Sequence, residues 1–224
     1  DDNPDSQVWN FLQDSIDAAF AGGVTRAIVA SAGNAASAES HFPSACNGVL
    51  AIGASTFGGN RAGYSNFGDR VDLMAPGGNG TAGTPYNFLT LVNLGTTIPA
   101  GDGTQYRAGT SFSAPLVSGV VALMLAVAPD LTPAQVREFV TGSAKPFPSG
   151  STCTTLICGT GILDAPGAVR LALASTGAAV PVTIVEYYHA PLDHYFITWN
   201  STEIARLDAG IVIKGWMRTG KTFL

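Results

Sequence analysis

The sequence predicts an α/β layered fold with a small β-rich appendage, and three observations carry that prediction. Short apolar runs at 27–30, 49–52 and 71–75 lack polar alternation, as do strands covered on both faces of a parallel sheet. Segments with apolar residues at helical spacing stand before and after these runs. Gly- or Pro-containing turns mark the boundaries, and strands spaced among helices assemble into layers. The 224 residues provide enough chain to bury one ordinary core and to add a small second piece.

The elements follow in order. Val8, Leu12, Ile16 and Phe20 recur every four residues, which predicts a helix over 6–20, with Asp5 or Ser6 to cap it and Gly22-Gly23 to end it. The three strand runs come next. Residues 77–108 are rich in Gly, Thr and Asn around one apolar segment at 88–92, and a surface hairpin is expected there. Residues 113–127 read as a helix with almost no polar face, expected in the middle of a domain. The run 116–128 is thirteen residues long and broken by Ser118 and Gly119, short of the roughly 18 that cross a bilayer. Thr132, Pro133 and Gln135 form a capping box with proline at the first helical position, which starts a helix reaching about Thr141. A last helix is expected over 165–174. After Ser175-Thr176-Gly177 the composition shifts to short alternating aromatic runs, so a linker and a small β-rich module are expected over 176–224.

Charge and cysteine content narrow the function classes. Eleven Lys+Arg against sixteen Asp+Glu give a net charge of -5, with no basic cluster, so neither nucleic acid nor an anionic membrane is an expected partner. A low-charge chain rich in Gly, Ser, Thr and Asn suits export. Cys153 and Cys158 are five apart, close enough to staple one loop, and Cys46 is left over.

Two segments could carry chemistry. In Gly109-Thr110-Ser111-Phe112-Ser113-Ala114-Pro115 a serine stands where a turn meets the apolar helix. The unpaired N–H groups and positive dipole end of such a helix favour an anion forming beside the hydroxyl. Thr110, Ser111 or Ser113 could equally serve as a plain helix cap. In Ala30-Ser31-Ala32-Gly33-Asn34 an asparagine lies just past the carboxyl end of a strand, where ligands gather in open α/β sheets. Its amide can donate to a developing oxyanion, or the Gly-Asn pair can be a simple turn.

Taken together, the two segments resemble the subtilisin-like serine peptidases. Gly-Thr-Ser-x-Ser-Ala-Pro resembles the family's nucleophile motif, which implies Ser111 as nucleophile, and Ala-Gly-Asn resembles its oxyanion strand, which implies Asn34 as amide donor. Tyr64-Ser65-Asn66-Phe67-Gly68, Ala75-Pro76-Gly77-Gly78 and Gly159-Thr160-Gly161-Ile162-Leu163-Asp164-Ala165 are further landmarks, and the resemblance covers roughly 6–175. It implies a three-layer parallel sheet, with residues 1–175 as the C-terminal part of a catalytic domain. It also implies a peptide or protein substrate, with the backbone of Ser31, Ala32 and Gly33 walling the pocket for the residue before the cut.

The chain departs from the pattern. Phe112 and Leu116 stand where the family usually has Met and His, and the family's Asp and His motifs are not found. A serine hydroxyl needs a base within hydrogen-bond reach. His41 lies where the family has no base, and His189 and His194 lie in the aromatic tail. The chain is therefore expected to be the C-terminal portion of a longer secreted bacterial endopeptidase and inactive alone. The rival expectation is a non-catalytic protein that binds peptide or surface ligands. The resemblance extends to a disulfide-containing secreted group, which implies a Cys153–Cys158 bridge and an upstream partner for Cys46. No cofactor is expected, structural calcium has no support in the residues, and a monomer is expected.

Overall fold

The computed structural model describes residues 4–39, 41–81, 83–178, 184–198, 200–210 and 214–223. Two units divide the chain, Asp1–Gly177 and Ala178–Leu224.

The first unit is built on a parallel sheet of β1 (Ile28–Ser31), β2 (Val49–Ser55) and β3 (Leu73–Pro76), in the order β1-β2-β3. Every residue of β2 is buried, the physical reason for the unbroken apolar runs. The strands' alternate residues face two different cores. Val29, Leu50, Ile52, Leu73 and Ala75 meet the apolar stripes of α2 (Thr110–Val127), α3 (Pro133–Gly142) and α4 (Ala165–Ser175), whose Val117, Met124, Val136, Val140 and Ala168 are fully buried. On the opposite side Ile28, Ala30 and Val49 pack with Leu12, Ile16 and Phe20 of α1 (Pro4–Ala21). Helices, sheet and helix therefore form three layers, as the resemblance implies.

Asp72 sews the sheet to α3. Its carboxylate accepts from Arg137 (2.5 Å) and from the Ala51 N–H (2.8 Å), while Arg137 also donates to the Val49 carbonyl (2.8 Å). The capping box at Thr132 and Gln135 forms as the sequence predicts. An antiparallel hairpin of β4 (Phe88–Asn93) and β5 (Asp102–Arg107) occupies the Gly/Thr/Asn-rich stretch. Cys153 and Cys158 are bonded, with Cα atoms 5.5 Å apart. Cys46 is a buried thiol whose pKa burial pushes up.

Three expectations need correction. The first helix starts at Pro4, which moves Asp5 and Ser6 from the cap into the first turn; their side chains lie outside the described residues. α2 starts at Thr110, three residues before the predicted start, and carries Pro115 at its sixth position, where the ring gives up one intrahelical N–H bond. With 18 residues, α2 is long and apolar enough to cross a membrane by length and composition, and it buries a single stripe instead of its whole circumference. Leu123, on its other side, is 56% exposed. Apolarity all round predicts burial all round, but the described residues cover one face.

In the second unit β6 (Ile184–His189) is the centre of an antiparallel sheet with β7 (His194–Thr198) and β8 (Trp216–Phe223), in the order β7-β6-β8. Its alternating residues Val185, Tyr187 and His189 are buried. The helix α5 (Ser201–Asp208) is capped by Asn200, which accepts from the Thr202 and Glu203 N–H groups. Asp208 at its end accepts from the Tyr187 hydroxyl (2.8 Å) and takes a two-pronged grip from Arg218 (2.8 and 2.5 Å). Arg218 lowers the Asp208 pKa below the ordinary carboxylate range.

Candidate active site

The site is assembled where the loop after β1 meets the first turn of α2. Gly109 precedes that helix with an extended φ of 161°, and no side chain caps it. The Gly109 carbonyl accepts from the Phe112 N–H (3.0 Å), and its own N–H donates to the Gly77 carbonyl (2.9 Å). Of the three hydroxyls that the sequence leaves open, two are engaged in the framework. Thr110 Oγ1 donates to Asn34 Oδ1 (2.9 Å), and buried Ser113 donates to the carbonyls of Ala75 (3.0 Å) and Pro76 (3.2 Å) at the end of β3. Ser111 is exposed, and among the described residues neither its hydroxyl nor its N–H has a hydrogen bond.

Asn34 and Thr110 are 76 residues apart in sequence, and two hydrogen bonds join them. Asn34 Oδ1 accepts from the Thr110 N–H as well as from its hydroxyl, both at 2.9 Å. A backbone N–H can only donate, so the carbonyl end of the amide must face Thr110. The two N–H bonds of Asn34 Nδ2 are thereby turned away from Thr110. A Cβ built on Gly109 would lie 3.7 Å from both Asn34 Nδ2 and the Ser111 N–H, which places these two donors around one glycine. A Cβ at 109 would make only ordinary van der Waals contact with both.

The loop that presents Asn34 is held by Asn66. Its side-chain Oδ1 accepts from the Ala35 N–H (2.8 Å) and the Ser37 N–H (3.3 Å), and its own N–H donates to the Gly33 carbonyl (2.9 Å). Gly33 adopts φ +109°, and a Cβ there would come within 2.5 Å of Asn66 Nδ2, so both conformation and space require glycine. Ser31 and Gly33 are half-buried and Ala32 is buried, its side chain packed with Val71, Met74 and the disulfide. Tyr64, from the same segment as Asn66, donates to the carbonyls of Gly77 (2.6 Å) and Gly78 (3.1 Å). Burial pushes its phenol up to about 12, so it remains a neutral donor.

His41 lies beside this loop, its ring Cδ2 3.2 Å from the position a Gly33 Cβ would take, and makes no hydrogen bond to Ser111. His189 Nε2 pairs with the Lys214 carbonyl (2.9 Å) within the second unit. The His194 side chain lies outside the described residues. No group of three His, Cys, Asp or Glu is placed to hold a metal ion among the described residues. Sequence reading quoted Thr110 and Asn66 within motifs and gave neither a positioning role; their hydrogen bonds span 76 and 31 residues, which no local pattern reveals.

Comparison with known proteins decides the family. The model of the Peptidase_S8 subtilase family matches residues 2–167, about three quarters of the chain. The chain belongs to the subtilase family. This subtilase chain is 36% identical over 163 residues to an extracellular protease of Xanthomonas campestris pv. campestris, covering 72% of the chain and 26% of that protein. It is 38% identical over 159 residues to an extracellular basic protease of Dichelobacter nodosus, covering 69% of the chain and 24% of that protein. Among solved structures, a protease from Pseudoalteromonas arctica PAMC 21717 matches 71% of the chain and 46% of its own, with a TM-score of 0.64 and 36% identity. The subtilase chain thus spans about a quarter of these two curated relatives.

Proposed function

We propose that this subtilase chain is part of a secreted serine endopeptidase in which Ser111 is the nucleophile. The observation that carries the reading is that the Asn34 amide is tied to Thr110, next to Ser111, with Asn34 Nδ2 and the Ser111 N both near Gly109, beside a hydroxyl that has no hydrogen bond among the described residues. Ser111 Oγ attacks the carbonyl carbon of the scissile peptide bond, and its proton passes to a general base. The carbonyl oxygen becomes an oxyanion, which gains two donors, Asn34 Nδ2 and the Ser111 N–H. The positive end of α2 adds to their effect. Collapse of the tetrahedral intermediate breaks the C–N bond as the base returns the proton to the departing amine. Water then attacks the Ser111 ester by the reverse proton route, releasing the acid and restoring the hydroxyl.

The base in this reading is contributed by residues outside these 224, since the family's Asp and His motifs are not found in the sequence. The strand end Ser31–Gly33 walls the pocket for the residue before the cut. Secretion is supported by the extracellular relatives and by the Cys153–Cys158 bridge, a bond that persists in oxidising compartments.

The test compares the complete reading frame with its Ser111→Ala variant on a casein substrate. Hydrolysis that disappears in the variant while its melting temperature is unchanged supports the reading. Hydrolysis that survives the substitution refutes it, and peptide binding without hydrolysis in the unaltered protein favours the non-catalytic alternative.

A further inference from the structure

The hairpin β4–β5 presents an apolar surface that the catalytic reading does not use. In the antiparallel register Leu89 lies opposite Tyr106 and Leu91 opposite Thr104, and residues paired in this way share one face. Leu89 and Leu91 are 60% and 81% exposed, and Leu94 and Ile98 at the tip are 63% and 74% exposed. Large apolar side chains gathered in one exposed place mark an interaction surface.

The backbone of the hairpin is equally open. Among the described residues β4 and β5 pair only with one another, so each has one edge of unpaired N–H and C=O groups. Two-stranded ribbons are marginal in water by themselves. Exposed edges are ordinarily guarded by charges or proline, yet β4 reads Phe-Leu-Thr-Leu-Val-Asn and contains neither.

The ribbon is also continuous with the candidate site. The Phe88 ring stacks on that of Phe112, the residue after Ser111, with centroids 5.2 Å apart and planes within 9°. Arg107, paired with Phe88 at the ribbon's base, is four residues before Ser111, so chain length alone keeps the two within about 14 Å. A cavity of about 190 Å³ opens at that base, lined by Phe57, Pro85, Tyr86 and Phe88 among others, large enough for one apolar side chain.

We propose that β4 is a docking edge for the polypeptide substrate, an extended segment of which adds as a third strand with apolar side chains at alternate positions. The proposal rests on the serine-peptidase reading and names its substrate class: unfolded or extended polypeptide with strand-forming alternation. Backbone pairing to β4 supplies binding that is independent of sequence. Every second side chain of the added strand lies on the face of Leu89 and Leu91, which supplies the preference. One further apolar side chain fills the cavity at the ribbon's base.

The experiment uses the complete protein and two fluorogenic peptides with the same residues around the cut. One is extended at both ends by alternating Val-Thr, the other by Gly-Ser. The unaltered protein is expected to favour the Val-Thr peptide in kcat/KM by about tenfold or more, chiefly through KM. The double variant Leu89→Ser/Leu91→Ser is expected to bring the ratio of the two kcat/KM values close to one, while Leu91→Met preserves it. A ratio that the double variant does not change, or an unaltered protein without preference, overturns the proposal. Polarisation binding of the Val-Thr peptide to the Ser111→Ala variant separates docking from chemistry. Binding that Leu89→Ser/Leu91→Ser removes supports the docking edge even if no peptide is hydrolysed, and absence of binding overturns it. Sedimentation of the unaltered protein as a dimer that the double variant dissociates assigns the ribbon to a second copy and also overturns it.

Discussion

Replacing Thr110 by valine isolates one of the two bonds that orient the Asn34 amide. Valine matches threonine in shape, so the buried site keeps its volume, and the Thr110 N–H bond to Asn34 Oδ1 remains. What is lost is the hydroxyl bond at 2.9 Å. Because Oδ1 keeps one donor, no acceptor is stranded, and the loss is that of an ordinary hydrogen bond, about 0.5–1.5 kcal/mol. If the bond's value lies in aiming Nδ2 at the oxyanion, that amount appears in the transition state as a kcat lower by roughly 2- to 12-fold, with KM little changed. Replacing Asn34 itself by alanine removes the donor and is expected to lower kcat by about 100- to 1000-fold, the magnitude known for this asparagine in a subtilisin. The assay is steady-state hydrolysis of one fluorogenic peptide by the complete protein and the variants Thr110→Val, Thr110→Ser and Asn34→Ala, with urea unfolding as a control. Thr110→Ser keeps the hydroxyl and should retain activity. A Thr110→Val enzyme with unchanged kcat, or one as impaired as Asn34→Ala, would refute the reasoning.

Other outcomes follow from the same contacts. Gly33→Ala forces a Cβ against Asn66 Nδ2 at a positive φ and should destabilise the first unit by about 1–3 kcal/mol in urea unfolding. Asp72→Asn exchanges a charged acceptor of Arg137 for a neutral one and should lower stability by about 1–2 kcal/mol at low salt. Removing the Cys153–Cys158 bridge opens a loop of only five residues' separation, so Cys153→Ala/Cys158→Ala should lose roughly 2 kcal/mol, read as a lower melting temperature. Tyr64 has a folded-state pKa of about 12 against an unfolded value of about 10, so its stabilising effect is complete below pH ~10 and is lost as pH rises toward ~12. Tyr64→Phe should flatten that part of the stability profile, which denaturation at pH 9, 10 and 11 measures.

Much of the fold was legible because burial leaves a pattern in the residues that carry it. A strand buried on both faces, such as β2, shows no alternation, and Thr132 and Gln135 announce a helix start by chemistry that acts over three residues. The hairpin was legible as turn chemistry around an apolar run, although its register was not. The reach of burial was not legible for α2, whose even apolarity predicts a covered helix while its Leu123 side faces outward. Sequence shows which side chains prefer to leave water; it does not show which neighbours are there to receive them. At the site, local motifs single out Ser111 and Asn34 as candidates. The contacts that orient them were not, since the Thr110–Asn34 and Asn66–Ala35 bonds join segments that only the folded sheet brings together.

The central claim is that the Ser111 hydroxyl is the activated nucleophile of the site. Treating the complete protein with a fluorophosphonate and locating the adduct by peptide mass spectrometry tests it most directly. The account predicts phosphonylation of the peptide containing Ser111 and its loss in Ser111→Ala. An adduct on Thr110, on Ser113 or on any other residue, or one that persists in the alanine variant, would contradict it.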